Sequence, residues 1–271
     1  MSSTELTHLY SCSKYSKNPE TCGDIFDEEV GKIYENLKSS GIPYQEDIAY
    51  QNGQLTKIDI WGKEDNDKLF IMIHGGYWLI GDRKKCLPIV HVAKKVGYTV
   101  VSVGYDYANE QHPLSQTIEE LLNGVRFTLD KFKSAKKVVI GGHSVGAHLA
   151  FKAITEIHDP RICGAFLDAG IYQIQELVET DYGKDLGLTP EEAVKCSCDY
   201  NLLNTIKYPI LQTNCGLESP KLYEQNVELS KLFPKIQYKE YSDEDHFTIL
   251  TQLADENSAP HLDLYNFLYS L

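Results

Sequence analysis

The sequence has no long hydrophobic run and little positive charge, and both absences exclude classes of protein. No stretch of its 271 residues approaches the roughly 18 consecutive apolar residues of a membrane-spanning helix. Lysine and arginine total 26 against 39 aspartate and glutamate residues, which gives a net charge of −13 at pH 7. Because binding to phosphates requires clustered lysine and arginine, we expect neither nucleic acid nor membranes as partners.

The cysteines lack the pattern of a disulfide framework or a structural metal site. The chain has seven cysteines, an odd number, and they are scattered over positions 12, 22, 86, 163, 196, 198 and 215. Such a set favours free thiols in a reducing compartment. Cys196 and Cys198 have no second Cys/His pair at metal-ligand spacing, so no metal is predicted. Residues 1–6 lack the basic and apolar segments of a secretory signal, and we expect a cytoplasmic protein.

Apolar runs alternate with amphipathic segments after about residue 46. Leu69–Ile73, Val138–Ile140 and Ile210–Thr213 have the length of buried strands, and the later segments between such runs have apolar residues at spacings of three and four. This order predicts an α/β domain over residues 46–271, with a mostly parallel central sheet and helices on both faces. The polar residues 1–45 are expected to form an N-terminal extension that packs on it. A small helical insertion, near residues 171–203 and after the sixth strand, is expected to form a cap beside the substrate pocket.

Ser144 is the residue that most constrains function. It lies in Gly142-His143-Ser144-Val145-Gly146, directly after the apolar run Val138–Ile140 and before a stretch rich in helix formers. Glycines on both sides permit a sharp turn between strand and helix, and such an elbow exposes a serine hydroxyl above the sheet. The helix would direct its positive N-terminal end at that serine. The pattern therefore predicts a serine nucleophile.

A serine hydroxyl needs a base, usually histidine, and a carboxylate that orients the base. His246 follows the last predicted strand, which is where the base is expected when the order is nucleophile, acid, histidine. His261 is its only later rival and is expected at the surface. Glu218 follows the predicted strand Tyr208–Thr213 and is the first candidate for the acid. Asp168, at the end of another predicted strand, is the second.

Acyl transfer also needs hydrogen-bond donors for the developing oxyanion. The segment His74–Trp78 (HGGYW) follows the predicted strand Leu69–Ile73. Glycines at this point bring backbone N–H groups close to a ligand, so Gly75 and Gly76, together with the N–H of Val145, are predicted to form an oxyanion hole. His74 is expected to organise the loop.

The aromatic residues beside this loop are candidates for the substrate pocket. Tyr77 and Trp78 follow the two glycines directly. An aromatic pair at an arbitrary position would most often belong to the core, but beside an oxyanion loop the pair is better placed to line a flat aromatic pocket.

Several segments together resemble the kynurenine formamidase (arylformamidase) family of α/β hydrolases. These segments are His74–Trp78, Gly142–Leu149 (GHSVGAHL), Ala169–Tyr172, Leu186–Thr189, Glu218–Pro220 and Asp245–Phe247. The resemblance spans about residues 65–250, and HGGYW combined with GHSVGAHL is more selective than HGG and GxSxG alone. The chain departs from the family pattern at the acid, where Glu218 replaces aspartate, and at Ala169, which replaces serine.

The resemblance implies an α/β-hydrolase fold and hydrolysis of N-formyl-L-kynurenine to L-kynurenine and formate, a step of tryptophan catabolism, through a formyl-serine intermediate. It makes Ser144, Glu218 and His246 the nucleophile, acid and base, and it implies no metal or organic cofactor. The expected partner is a small aryl formamide, and a homodimer is compatible with the sequence. Tyr172 and Arg83 are candidates for binding the substrate, in particular its amino-acid end.

Two other functions remain open at this point. A carboxylesterase of the same fold would use the same groups on small acyl or aryl esters, and only the shape of the pocket separates the two activities. A binding protein that keeps the fold without turnover is a second alternative, although complete nucleophile, base and oxyanion elements argue against it.

Overall fold

The computed structural model describes residues 2–271 and contains one eight-stranded sheet. The strands are β1 (Tyr44–Ala49), β2 (Lys57–Trp61), β3 (Lys68–Ile73), β4 (Thr99–Val103), β5 (Lys137–His143), β6 (Ile162–Asp168), β7 (Ile210–Leu217) and β8 (Gln237–Asp245). Their order across the sheet is β1-β2-β4-β3-β5-β6-β7-β8. β2 runs antiparallel to its neighbours β1 and β4, and every other pair of neighbours is parallel. The predicted sheet is confirmed.

Helices cover both faces of this sheet. They are α1 (Ser3–Tyr10), α2 (Cys22–Ser39), α3 (Pro88–Lys95), α4 (Leu114–Lys131), α5 (Val145–Glu156), α6 (Asp181–Asp185), α7 (Pro190–Cys196), α8 (Pro220–Leu232), α9 (Thr248–Thr251) and α10 (Ala259–Ser270). Helices α4, α5 and α8 share one hydrophobic core, and α2, α3 and α10 share another on the opposite face. In the part of the chain described here, no helix is long and apolar enough to cross a membrane.

The alternation of side chains along β3 explains why the sheet has two cores. Leu69, Ile71 and Ile73 belong to one core, while Phe70 and Met72 belong to the other, and all five are fully buried. A parallel strand that is covered on both faces is apolar at every position, as this run is. Because the carboxyl ends of parallel strands meet at one edge, the loops after β3, β5, β7 and β8 lie together there.

The structure also contains an edge strand that the sequence pattern does not predict. β1 begins at Tyr44 and has no buried side chain: Glu46 is half-buried, and Asp47 is exposed. A charged edge strand has no apolar run and no clear alternation, because one of its sides faces solvent. The expected insertion contains α6, α7 and two 3₁₀ turns, Gln175–Glu179 and Tyr200–Thr205.

Candidate active site

Ser144 occupies a strained turn between β5 and α5. Its backbone has φ 59° and ψ −125°, in a region that non-glycine residues rarely adopt. The Ser144 N–H donates to the Asp168 carbonyl at 2.8 Å, which fixes the turn against β6. A Cβ on Gly142 would overlap the Gly146 carbonyl, and a Cβ on Gly146 would overlap the Ile73 carbonyl. The turn therefore requires glycine at both positions.

Glu218 and His246 form a buried hydrogen-bonded pair. Leu217 and Asp245 are register partners where β7 and β8 end, so the next residue of each strand lies beside the other. His246 Nδ1 is 2.5 Å from Glu218 Oε2, a bond in which the ring N–H donates to the carboxylate. The carboxylate also accepts the Ser219 N–H at 2.7 Å, which holds its second oxygen. The order and register of the strands thus explain the pairing.

The pair also affects the charge of the imidazole. Burial by itself disfavours the imidazolium, but the neighbouring Cys12 and Glu218 groups outweigh that effect, and the pKa of His246 is raised well above its usual value. An imidazole that gains a proton here is stabilised by a carboxylate already in hydrogen-bond contact. The pair therefore stabilises a protonated imidazole in the cavity that Ser144 also lines.

Asp168, the second candidate acid, makes its contacts with residues other than His246. One of its carboxylate oxygens accepts the Thr213 hydroxyl at 2.6 Å, and the other lies 4.0 Å from His143 Nε2. Burial raises the pKa of Asp168 to about 7, against the smaller opposing effect of the Thr213 hydrogen bond. The geometry pairs His246 with Glu218 and not with Asp168.

Gly75 and Gly76 lie directly opposite the serine. A Cβ on Gly75 would be 2.9 Å from the Ser144 Cβ, so only glycine lets this loop approach so closely. Both glycines line the same cavity as Ser144 and His246. Within residues 2–271, neither glycine N–H has a hydrogen-bond acceptor. Val145 is the first residue of α5, so its N–H has no partner within the helix.

His74 holds the glycine loop in place. Its Nδ1–H donates to the Gly75 carbonyl at 2.8 Å, and its ring stacks on Tyr105 with centroids 4.3 Å apart. The Tyr105 hydroxyl donates to the His74 carbonyl at 3.0 Å. Burial lowers the pKa of His74 to about 4, which keeps this imidazole neutral.

The remaining histidines near the site make structural contacts. His143 Nε2–H donates to the His246 carbonyl at 2.8 Å, and the two rings have centroids 4.7 Å apart. His148 donates to the Cys196 carbonyl at 2.8 Å. The prediction that His261 lies at the surface is wrong: it is 2% exposed and bonds to the Leu253 carbonyl, because α10 packs on α3 and on the 3₁₀ turn Gln252–Ala254.

The cavity above Ser144 has a volume of about 640 Å³ and an aromatic lining. Its aromatic residues are Phe26, Tyr77, Tyr107, Tyr182 and Phe247. Tyr77 stacks on Tyr182 with centroids 4.0 Å apart and planes at 3°, so the loop after β3 is joined to α6 of the insertion.

Two of the predicted pocket aromatics lie outside this cavity, and that interpretation is corrected. Trp78 and Tyr172 are each 0% exposed and do not line it. Trp78 turns inward, with φ 59°, and packs its ring edge against His148. Tyr172 packs against Phe151 with centroids 5.9 Å apart. Both belong to the hydrophobic core, and only Tyr77 of the predicted set faces the cavity.

The cavity also has a charged region formed by Lys85, Asp27, Asp82 and Asp185. Lys85 pairs with Asp27 of α2. Arg83 does not line the cavity.

Sequence reasoning missed the part of the cavity that comes from distant segments. Cys12 and Ser13 from the N-terminal extension, Phe26 and Asp27 from α2, and Tyr182 from α6 all line it. None of them belongs to a motif or follows a predicted strand. Only the three-dimensional packing brings them to the site.

Comparisons with known proteins agree with this architecture. A family model described as alpha/beta hydrolase fold matches residues 70–195. A kynurenine formamidase of Danio rerio is 28% identical, with 95% of this chain and 93% of that protein covered. A kynurenine formamidase of Salmo salar is 26% identical, with 94% of this chain and 92% of that protein covered.

Solved structures give the same fold. A proposed thioesterase from a Silicibacter species has a TM-score of 0.80 at 19% identity, covering 94% of this chain and 97% of that one. Esterase B from Lactobacillus rhamnosis has a TM-score of 0.66 at 16% identity, covering 93% and 96%. The protein is a hydrolase with the α/β-hydrolase fold, and it is similar over most of its length to kynurenine formamidases.

Proposed function

We propose that the protein hydrolyses N-formyl-L-kynurenine to L-kynurenine and formate by serine catalysis. The observation that carries this proposal is the buried hydrogen bond of 2.5 Å between His246 and Glu218, in the same cavity as Ser144 on its strained turn. The names of the relatives from two fishes and Drosophila melanogaster support the choice of an aryl formamide as substrate.

In the acylation step, His246 Nε2 accepts the proton of the Ser144 hydroxyl as Oγ attacks the formyl carbon. The carbonyl oxygen becomes an oxyanion and accepts hydrogen bonds from the N–H groups of Gly75, Gly76 and Val145. Loss of one such donor costs about 3–4 kcal/mol of transition-state stabilisation in enzymes of this type. Glu218 stabilises the imidazolium and keeps Nε2 directed at the serine.

Collapse of the tetrahedral intermediate completes the first half of the reaction. The carbon–nitrogen bond breaks, the His246 imidazolium gives its proton to the departing aryl amine, and a formyl ester remains on Ser144. An aryl amine leaves more easily than an alkyl amine because the ring shares the nitrogen lone pair. His246 then activates a water that hydrolyses the ester, releasing formate and restoring the serine.

The lining of the cavity supports a substrate with an aromatic ring and a charged end. Tyr77 and Tyr182 offer aromatic surface near the serine, and the charged region offers both signs. The substrate's carboxylate would bind Lys85, and its ammonium group would bind a carboxylate such as Asp82. A cavity of about 640 Å³ is within the usual range for small-molecule sites.

The test is formate release from N-formyl-L-kynurenine, beside hydrolysis of p-nitrophenyl acetate. We expect the wild type to prefer the formamide, Ser144→Ala to lose turnover with nearly unchanged thermal stability, and Ser134→Ala, a change at an exposed serine, to retain it. Cleavage of the ester alone would move the function to a carboxylesterase. Turnover of neither, with no labelling of Ser144 by a fluorophosphonate, would support a binding protein.

A further inference from the structure

Three potential metal ligands of different chemical types meet beside the serine. The Cys12 thiol, an imidazole nitrogen of His246 and a carboxylate oxygen of Glu218 all lie within 4.8 Å of one another. The three side chains are buried, and Cys12 and His246 also line the cavity. Cys12 comes from the N-terminal extension and joins a pair formed by residues more than two hundred positions away.

The Cys12 thiol has no strong hydrogen bond that would explain its position. Its hydrogen bonds with the Tyr10 carbonyl at 3.9 Å and the Ser219 hydroxyl at 3.8 Å are long, it lies beside the His246 imidazole, and it forms no disulfide. A thiol held among an imidazole and a carboxylate, with only long contacts of its own, is available to a ligand that all three groups can bind.

The donor set and its spacing fit a zinc ion. Zinc binds thiolate, imidazole and carboxylate, and bonds of about 2.3 Å to sulfur and about 2.0 Å to nitrogen place these donors about 3.5 Å apart in a tetrahedron. The donors therefore need to move by little more than about 1 Å from their present separations. The cavity side leaves the fourth position open to water.

We propose that Cys12, Glu218 and His246 form an inhibitory zinc site. Binding displaces the Cys12 thiol proton to solvent and forms a sulfur–zinc bond. If zinc takes His246 Nδ1, the remaining imidazole proton must lie on Nε2; if zinc takes Nε2, that lone pair is used directly. In either case His246 cannot accept the Ser144 proton, so this inhibition rests on the proposed function, whereas zinc binding itself does not.

Cobalt provides a test of binding that does not depend on turnover. Co²⁺ added to the full-length protein should produce a thiolate-to-cobalt charge-transfer band, and Zn²⁺ should abolish it. Cys12→Ser should lose the band, while Cys163→Ser, which removes a thiol elsewhere, should retain it. Absence of the band in wild-type protein, or its persistence in a Cys12→Ser variant that is folded by circular dichroism, would overturn the proposal.

Two further measurements keep the outcomes separate. Zn²⁺ should slow alkylation of Cys12 by iodoacetamide in wild-type protein, measured by mass spectrometry, and this requires no variant. Inhibition is measured against each variant's own rate of hydrolysis without metal. On this scale, Cys12→Ser should raise the zinc concentration that gives half-inhibition at least tenfold. A cobalt band without formamide hydrolysis would support the zinc site and reject the proposed function. Formamide hydrolysis in a protein whose Cys12 is not protected by Zn²⁺ would support the proposed function and reject the zinc site.

Discussion

The cavity has a floor and a wall, which differ in how the chain builds them. The floor consists of Gly75, Gly76, Ser144 and His246, together with Glu218, which is buried behind the cavity and bonded to His246. All five lie within a few residues of the carboxyl end of a strand. The wall consists of Cys12, Phe26, Asp27, Tyr182 and Lys85, which come from the N-terminal extension, α2, α6 and a 3₁₀ turn before α3.

The difference lies in what fixes each region. Backbone hydrogen bonds, the register of β7 and β8, and glycine contacts without room for a Cβ position the floor. Side-chain contacts, such as the stack of Tyr77 on Tyr182 and the ion pair of Lys85 with Asp27, position the wall. We infer that the floor sets the chemistry and the wall sets the substrate.

Glu218→Gln should give the largest effect and tests the floor. Loss of the carboxylate should lower kcat about 10³–10⁴-fold, as for comparable triads, because the imidazolium loses its partner. Catalysis needs neutral His246, so wild-type activity falls as the pH drops below its raised pKa. Without the carboxylate that pKa falls, and the acid limb of kcat/KM should move to lower pH. If kcat instead fell by this amount in Asp168→Asn and changed little in Glu218→Gln, the acid would be Asp168.

Asp168→Asn should affect stability and tests whether this buried residue, which lies at the end of β6 beside the floor, is structural. Because burial raises the pKa of Asp168 to about 7, the native state keeps a proton that the unfolded chain loses near pH 4. The free energy of unfolding of the wild type therefore falls as pH rises from about 4 to about 7. In urea unfolding, the free energy of unfolding of the variant should increase relative to that of the wild type by a few kcal/mol as the pH rises from about 4 to about 7. A constant difference would contradict the buried protonated carboxyl.

Tyr182→Ala tests the wall. Removing the ring that stacks on Tyr77 loses about 0.5–1.5 kcal/mol of aromatic contact, so KM for the formamide should rise about two- to tenfold with little change in kcat. Tyr269→Ala, at an exposed position in α10, is the matched control and should leave both constants unchanged. A fall in kcat with unchanged KM would place Tyr182 in the chemistry and break the distinction between floor and wall.

Tyr172→Phe should give the smallest effect, because this residue belongs to neither region. Its hydroxyl is buried and has no hydrogen-bond partner within residues 2–271. Removing it should leave KM within about twofold and keep or slightly raise Tm, since no bond is lost. A large rise in KM would restore Tyr172 to the pocket.

The floor could be predicted from sequence because strand ends in a parallel sheet converge at one edge. The apolar run before Gly142 predicted the turn at Ser144, and the position of His246 after the last strand predicted that it lies at the same edge of the sheet. The choice between Glu218 and Asp168 needed the structure, since both follow strands. The register of β7 and β8, which brings Glu218 beside His246, is not encoded in any local pattern.

The wall could not be predicted because no local rule links its segments. Cys12 and Tyr182 meet near the site through packing across the whole chain, and neither lies in a motif. The same limit explains the errors at Trp78, which follows the glycine loop, and at Tyr172, which was a candidate for binding the amino-acid end of the substrate, because both side chains belong to the core. β1 was missed because a charged edge strand has no apolar run.

Serine catalysis is tested most directly by rapid-quench mass spectrometry of the peptide that contains Ser144 during turnover of N-formyl-L-kynurenine. Serine catalysis predicts a formyl group on Ser144 that forms at least as fast as kcat and decays when substrate is exhausted, with no adduct and no turnover in Ser144→Ala. Turnover that persists in Ser144→Ala, without any adduct in wild-type protein, would contradict serine catalysis at this site.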